Sequence, residues 1–533
     1  MPRSGLGSLS GEDYLDERER AHESQTKQQQ LKERGLTPDW FEDQRELCLP
    51  EGLKIAVIGG GFSGLAAGWY LKQCGAGVTV FEASDRAGGR VLTDRTSIPG
   101  KVLEAGAELI GENHPLWWIL AKAFGLNLKE LTDEKSYPST QKVRMRFGSH
   151  DLSPGEKETL EEDLLRTWHR IGEQATTVSE TAPWEHPEAA HLDSTSIADG
   201  VGRLIPATSS NLRQWFQFTL GNDNCAPIET QSYLGLLASV SAARMGTSKR
   251  GMLGYWLSTE THRCQGGNDR LSQRLSRFVG VRTGSRVRSV LVNRFPGFPP
   301  VVVASEERRG GMPVAARVEG FHYAVLTAPP SVWPAIRFYP SFPFPDRTIL
   351  HGPAVKFLTR YPTPFWREEG YAPVAKWNEL GSVWEGTDQQ NEEIPGFALS
   401  VFSGGPFVFA PGKYPTQLTA LYPGRRAHLR GEEFVDWPSK PFIETGYAVP
   451  AKGQASTVNP ALMRPHAGRL FFAGEQASPG FFGYMEGALQ AGARAARDIV
   501  LDAAIPCART MTAESAPGGS GGDFGGAGAS GGW

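Results

Sequence analysis

The segment Lys54–Arg95 constrains the fold more than any other part of this chain of 533 residues. It opens with Ile55–Ile58, a short apolar run without alternation, which is typical of a strand buried on both faces of a parallel sheet. Three glycines follow at once in a GxGxxG spacing, Gly59, Gly61 and Gly64. Leu65–Cys74 then has the composition of a helix, and Val78–Phe81 that of a second strand. This order predicts a βαβ unit and an α/β fold.

A bound dinucleotide explains both the glycines and the acid that follows the second strand. The first glycine of such a unit makes a tight turn, the second lets the backbone approach a pyrophosphate, and the third lets the helix pack on the strand. The acid, Glu82, stands where a ribose hydroxyl pair is bound, which argues against a 2′-phosphate. A glycine-rich turn without a ligand would leave this acid unexplained. The predicted cofactor contacts here are Gly59, Gly61, Phe62, Ser63, Gly64, Glu82 and Ala83.

The residues after Glu82 decide between cofactors. They contain a second glycine pair, Gly88-Gly89, followed by Arg90. This run resembles the extended FAD fingerprint of the flavin-containing amine oxidases, which include monoamine oxidases, polyamine oxidases and L-amino-acid oxidases. The resemblance implies a Rossmann-like FAD-binding domain interleaved with an α+β substrate-binding domain. It also implies that Arg90 lies at the pyrophosphate and the flavin.

The stretch Lys101–Leu126 resembles the next characteristic part of that family, in which an acid and two small residues approach the flavin. The corresponding residues are Glu104, Gly106 and Ala107. L-amino-acid oxidases place an arginine for the substrate carboxylate three residues after the glycine, where this chain has Leu109. Glu108 either faces a substrate ammonium, as acids near this point do in polyamine oxidases, or is a solvated or hydrogen-bonded carboxylate.

Two later stretches resemble the remaining FAD-binding parts of the family. Val287 matches a position whose backbone meets adenine. Gly474 and Glu475 match the C-terminal FAD motif, in which the acid binds the ribityl or phosphate-linked part. Met485 would offer its main-chain N–H to the flavin pyrimidine edge, at the start of a small-residue helix that runs to Ile499.

Lys356 is the residue most strongly predicted to take part in the chemistry. It lies in an apolar, β-prone run, where a buried ammonium is costly unless the lysine is at an edge or paired. By resemblance it is the flavin-site lysine that holds a water near N5 and is implicated in reoxidation by oxygen. Tyr447 and Tyr484 would form the two walls of the aromatic cage. Gly446 replaces the cysteine that binds FAD covalently in monoamine oxidases, so we expect non-covalent FAD.

Composition limits the partners and the compartment. A net charge of −3 gives no indication of nucleic acid or of an anionic membrane surface, and no run approaches the roughly 18 apolar residues of a membrane span. The five cysteines are scattered without metal-ligand spacing, which favours no metal and a reducing, cytoplasmic location. The possibility of a homodimer is left open.

We predict the following division of the chain. Residues 1–49 form an N-terminal extension, with a solvated helix over Asp13–Arg34. Segments 50–130, 262–345 and 440–505 form the FAD-binding domain, and segments 131–261 and 346–439 form the substrate-binding domain. Residues 506–533 are a disordered Gly/Ser-rich tail.

The predicted reaction is the oxidation of an amine C–N bond to an imine, with a hydride equivalent passing to N5 of FAD and oxygen reduced to hydrogen peroxide. The preferred substrate is a primary or secondary amine. The main alternative is an L-amino acid bound by Arg244, Arg263 or Arg425. A carbon–carbon desaturase and a flavin-binding scaffold without turnover are further alternatives.

Overall fold

A computed structural model describes residues 17–44, 49–133, 136–293, 295–310, 312–342 and 349–504. Cys48, Cys507, the start of the predicted N-terminal helix and the Gly/Ser-rich tail lie outside the described residues. None of the helices in the described ranges combines the length and the apolarity needed to cross a bilayer.

The N-terminal extension forms two helices, α1 (Glu17–Glu33) and α2 (Pro38–Asp43). The predicted helix is confirmed over Glu17–Glu33, where most side chains are exposed or half-buried and Lys27 and Leu31 are buried. The Lys27 ammonium donates a hydrogen bond to the main-chain oxygen of Ala242 over 2.6 Å. Arg34 pairs with Glu180 over 2.8 Å. The described part of the extension therefore packs against residues more than a hundred positions away in sequence.

The remaining elements follow in chain order. Up to residue 133 these are β1 (Lys54–Ile58), α3 (Phe62–Gln73), β2 (Gly77–Phe81), β3 (Thr93–Asp94), β4 (Leu103–Glu104), α4 (Pro115–Ala123) and β5 (Leu128–Glu130). Up to residue 261 they are β6 (Lys142–Phe147), β7 (His150–Asp151), α5 (Pro154–Ala175), α6 (Ala189–Ser194), α7 (Ile197–Gly202), α8 (Ser210–Asp223), α9 (Tyr233–Ala243) and α10 (Gly254–Leu257).

The second half of the chain is richer in strands. Up to residue 342 the elements are β8 (His262–Cys264), α11 (Asp269–Val279), β9 (Val281–Arg282), β10 (Ser285–Val292), β11 (Val301–Arg309), β12 (Met312–Phe321), β13 (Tyr323–Leu326) and β14 (Arg337–Tyr339). From residue 349 they are β15 (His351–Gly352), β16 (Ala354–Tyr361), α12 (Phe365–Glu368), β17 (Tyr371–Trp377), β18 (Gly381–Glu385), β19 (Phe397–Gly404), α13 (Lys413–Leu421), α14 (Arg425–His428), β20 (Gly431–Asp436), β21 (Tyr447–Ala448), α15 (Gln454–Leu462), β22 (Leu470–Phe472) and α16 (Met485–Ala503).

A parallel sheet of five strands carries the glycine motif, in the order β22-β13-β1-β2-β9. Strand β1 lies at its centre, and every residue from Ile55 to Ile58 is buried, as the continuous apolar run predicts. Helix α16 packs on α3 at Gly492, where a Cβ atom would lie 2.2 Å from the main-chain oxygen of Ser63. This close approach explains why glycine stands at position 492 of α16. The α/β fold class is confirmed.

A second sheet of seven strands has the order β20-β16-β19-β18-β17-β6-β7. Its strands come from residues 142–151 and 354–436, whereas those of the parallel sheet come from 54–81, 281–282, 323–326 and 470–472. A further sheet of four strands has the order β12-β11-β10-β14. The domain boundaries given above stay a prediction, and the two larger sheets draw on alternating parts of the chain.

Candidate active site

A cavity of about 860 Å³ brings the predicted site residues together. We call the residues around Gly61, Glu82 and Val287 the glycine part of its wall, and those around Tyr447 and Tyr484 the tyrosine part. The predicted residues that line it are Gly59, Gly61, Phe62, Ser63, Glu82, Ala83, Arg90, Gly106, Ala107, Glu108, Leu109, Val287, Lys356, Tyr447, Gly474, Glu475, Tyr484 and Met485. Gly64 does not line it.

The three motif glycines meet different requirements. Gly59 has a φ angle of +111°, which suits glycine in a turn. A Cβ atom on Gly64 would lie 2.0 Å from the main-chain oxygen of Gly59, so this glycine lets α3 pack on β1 from behind the cavity. A Cβ atom on Gly61 would meet only Gly89 at 4.0 Å and would occupy cavity space. The backbone at Gly61 is therefore open to a ligand.

Main-chain N–H groups hold the Glu82 carboxylate in the glycine part of the wall. The Glu82 carboxylate accepts hydrogen bonds from the N–H of Gly60 over 2.7 Å and of Ser84 over 2.8 Å. The N–H of Ser285, at the start of β10, donates to the main-chain oxygen of Glu82 over 2.8 Å. That bond brings Val287 to the same wall as Glu82.

Arg90 joins the glycine part to the C-terminal motif. Its guanidinium donates to Glu475 Oε1 over 2.8 Å and to the main-chain oxygen of Gly446 over 2.7 Å. The N–H of Gly483 donates to the other oxygen of Glu475 over 2.9 Å. Ser63 Oγ accepts from the N–H of Gly474 over 2.7 Å. Arg90 is thus held at the cavity wall by a buried carboxylate, and direct binding of a ligand by Glu475 stays a prediction.

Lys356 on β16 lies in a buried cluster of charges. Its Nζ is 2.5 Å from Glu108 Oε2 and 2.9 Å from the main-chain oxygen of Glu104. The other oxygen of Glu108 lies 2.7 Å from the Arg263 guanidinium and accepts from Trp384 Nε1 over 2.8 Å. Lys356 is therefore paired rather than placed at an edge. Glu108 is a buried, hydrogen-bonded carboxylate, and the ammonium that it faces belongs to Lys356.

The pKa values of two neighbouring acids shift in opposite directions because their partners differ. Burial alone would raise the pKa of Glu108, but the charges of Arg263 and Lys356 outweigh it, so this pKa lies below the usual value. Burial raises the pKa of Glu104 to about 7, against the hydrogen bonds from Asn268 and Thr93. Glu104 does not line the cavity, and its approach to the flavin stays a prediction.

The two tyrosines of the predicted cage reach the cavity from separate elements. The Tyr447 hydroxyl donates to the main-chain oxygen of Asp223, and its ring stacks on Phe402 with centroids 6.5 Å apart. Tyr484 precedes α16, with its ring centroid 5.4 Å from that of His114. Burial raises the pKa of both tyrosines well above the usual value. Both side chains are therefore neutral aromatic walls at ordinary pH.

Several lining residues carry no sequence signal. Trp384 and Phe402 lie on β18 and β19 of the large sheet, and Asp223 ends α8. Their place in the site depends on how distant strands and helices pack, and no motif marks them. In contrast, none of the three arginines considered for a substrate carboxylate, Arg244, Arg263 and Arg425, lines the cavity. Arg425 pairs with Glu432 elsewhere in the molecule.

The cavity fits FAD. The Gly61 backbone is open where a pyrophosphate would lie. Helices α3 and α16 begin at Phe62 and Met485 in the cavity wall, and the partial positive charge of a helix N-terminus stabilises a bound anion. Arg90 supplies a cation, and Glu82 supplies an acceptor for ribose hydroxyls. Fold and cavity together define a dinucleotide-dependent flavoprotein of the α/β class.

The comparisons with known proteins give the family. A sequence model described as flavin containing amine oxidoreductase matches residues 62–500, so the chain belongs to this family of FAD-dependent oxidoreductases that act on amines. Amine oxidase [flavin-containing] B of Sus scrofa is 25% identical over 468 residues, which cover 84% of this chain and 86% of the relative.

Solved structures agree on the fold. Cyclohexylamine oxidase from Brevibacterium oxydans has a TM-score of 0.68 and 23% identity, over 84% of this chain and 99% of that one. Wild-type putrescine oxidase bound to putrescine has a TM-score of 0.67 and 21% identity, over 84% and 100% of the two chains.

Proposed function

We propose that this enzyme oxidises a primary or secondary amine to an imine and passes the electrons to oxygen, with hydrogen peroxide as the product. The observation that supports this substrate class is which residues line the cavity. Leu109 lines it where an arginine would receive an amino-acid carboxylate, and Arg244, Arg263 and Arg425 do not line it. The names of the cyclohexylamine and putrescine oxidases support an amine over an amino acid.

FAD, when bound, would supply the acceptor for the hydride equivalent that leaves the carbon beside the amine nitrogen. The chain's own residues bind and orient. Arg90 and the two helix N-termini hold the negatively charged part of the cofactor. Tyr447 and Tyr484 align a neutral amine between two aromatic faces and favour the positive charge that develops on it. Lys356 places its Nζ at the cavity wall beside Glu108.

The neutral form of the amine is the reactive one because its nitrogen lone pair assists the loss of the hydride equivalent. The reductive step should therefore speed up as the pH rises through the substrate pKa. A flat pH profile of this step would count against the proposed alignment.

We further propose that FAD is held without a covalent bond. Gly446 stands next to Tyr447, where a covalent link would need a cysteine. The described cysteines, Cys74, Cys225 and Cys264, are buried and do not line the cavity. Acid precipitation of the purified protein should leave the yellow flavin in the supernatant. A cytoplasmic location and a homodimer stay predictions.

The first experiment is anaerobic mixing of the purified holoenzyme with n-alkylamines, and separately with L-amino acids, while the flavin absorbance is recorded. Bleaching by amines alone supports the proposal. Bleaching by L-amino acids alone would replace it with the amino-acid oxidase. No bleaching by either class would overturn both and favour a desaturase or a scaffold.

A further inference from the structure

Strand β12 leaves one side of its backbone without a partner strand. It is an edge strand of the four-stranded sheet β12-β11-β10-β14, and among the described residues it pairs only with β11. It is 10 residues long, and every residue from Met312 to Val318 is exposed. The N–H and C=O groups on the free side of such a strand form a template for another strand. β12 is therefore open to pairing with a second chain.

Exposed apolar side chains are concentrated on the same sheet. Nine large apolar side chains are exposed in the described ranges, and seven of them belong to this sheet or to the connection between β10 and β11. Those seven are Leu291, Phe295, Phe298, Met312, Val314, Val318 and Tyr339. Val318 on β12 is 72% exposed. Clustered exposed apolar residues mark interaction surfaces, whereas single ones need no explanation.

The sequence of β12 is self-complementary in charge about Val318. When two identical strands pair antiparallel about a two-fold axis, the residue before the axis in one copy faces the residue after the axis in the other. With the axis at Val318, Arg317 of each copy faces Glu319 of the other. An axis at Arg317 or at Glu319 would instead place two like charges opposite each other, which is destabilising. Charge therefore selects one register.

Two further charges extend this complementarity. Within one copy, Arg317 pairs with Glu307 of β11, and Arg282 pairs with Glu319 over 2.6 Å. With the axis at Val318, the order across the axis is Glu307 and Arg317 of one copy, followed by Glu319 and Arg282 of the other. The sign of the charge alternates along this row, so the contacts within each copy support those between copies.

We infer that β12 is the dimer interface of this enzyme, with two copies paired antiparallel about a two-fold axis at Val318. The stretch Ala315–Phe321 of one copy pairs with the same stretch of the other. Pro313, which lacks the N–H of a ladder hydrogen bond, stays outside that stretch. The partner is a second copy because one strand supplies both of the complementary charges. The two four-stranded sheets join into one sheet, and the inference does not depend on the proposed substrate.

Sedimentation of the wild-type holoenzyme should give twice the mass of the 58.0 kDa chain. Arg317→Glu places an acid opposite Glu319 at both symmetric contacts and should raise the dissociation constant of the dimer by about tenfold or more. Adding Glu319→Arg to Arg317→Glu restores opposite charges across the axis and should give tighter dimers than Arg317→Glu alone. Arg309 is an exposed residue of β11, so Arg309→Glu is the control of equal charge change and should keep the wild-type dissociation constant.

A cysteine at the axis tests the register. Directly opposed residues of an antiparallel pair have Cα atoms about 4.5–5.5 Å apart, which suits a disulfide. Val318→Cys should therefore form a covalent dimer under mild oxidation, and a thiol should reverse it. Val314→Cys is the control, because Val314 is also exposed and its two copies would lie roughly 27 Å apart in this register.

Three results would overturn the inference. They are a wild type that sediments as a monomer, a dimer that Arg317→Glu leaves intact, and a covalent dimer that forms equally well in Val314→Cys and Val318→Cys. The flavin absorbance of each purified variant shows that a lost dimer does not come from misfolding. Flavin bleaching tests amine oxidation separately, so failure of this interface leaves the proposed function standing.

Discussion

Glu108 should be the residue whose charge matters most for the stability of the site. One carboxylate faces two cations, and the side chains of Glu108, Lys356 and Arg263 are only 2%, 6% and 10% exposed. Glu108→Gln removes the negative charge and leaves both cations buried without it. Breaking a buried ion pair from one side costs about 3–5 kcal/mol, so we expect a loss of that size in the free energy of unfolding.

Lys356→Met should cost less than Glu108→Gln, because Glu108 keeps Arg263 and Trp384 as partners. Adding Lys356→Met to Glu108→Gln should recover part of the loss by removing one uncompensated cation. Urea unfolding of each holoprotein in saturating FAD measures the differences through the transition midpoints. The control is Glu392→Gln, which breaks the ion pair with Arg367. Because the Glu392 side chain is 63% exposed, this change should cost less than about 1 kcal/mol in the free energy of unfolding.

The contribution of Glu108 to the free energy of unfolding should fall as the pH falls. Because the pKa of Glu108 is lowered below 4.5 in the folded protein, its contribution is complete above that value and is lost as the pH falls through the lowered pKa. The cost of Glu108→Gln should therefore shrink in acid. A cost below about 1 kcal/mol at neutral pH, or a larger cost for Lys356→Met, would refute the charge assignment.

Three further predictions concern other parts of the molecule. Gly61→Ala should fold and lose affinity for FAD, because Gly61 has an ordinary φ of −76° and the added Cβ atom would enter the cavity. Gly64→Ala should instead lower the unfolding midpoint, because its added Cβ atom would overlap the main-chain oxygen of Gly59. Lys356→Met should retain FAD and slow the reaction of the reduced enzyme with oxygen by about 100-fold in stopped-flow mixing, with the exposed Lys452→Met as control. Burial lowers the pKa of Lys27 below 10.5, so the wild type should gain stability relative to Lys27→Met as the pH rises toward 10.5, which urea midpoints across that pH range would show.

Local patterns in the sequence predict the cofactor-binding half of this site, because turn, strand and helix signals lie within a few residues of one another. The observed β1 and β2 start one residue before the predicted strands, and α3 starts at Phe62 rather than at Leu65. The helix begins earlier because the glycine loop itself forms its first turn.

The sequence could not predict contacts between residues that are far apart along the chain. Glu108 and Lys356 are 248 positions apart, so neither the acid nor the lysine signals its partner. The N-terminal helix is polar enough to suggest solvation, yet Lys27 and Leu31 are buried against other parts of the molecule. Asp223 has no motif at all, and its place beside Tyr447 follows only from the folded chain.

The distribution of charge around the cavity accounts for both the cofactor and the substrate that we propose. The helix N-termini at Phe62 and Met485, together with Arg90, favour a negatively charged group where the cofactor would lie. Leu109 in the cavity wall offers no cation to a substrate carboxylate. This distribution of charge supports the proposed amine substrate over an amino acid.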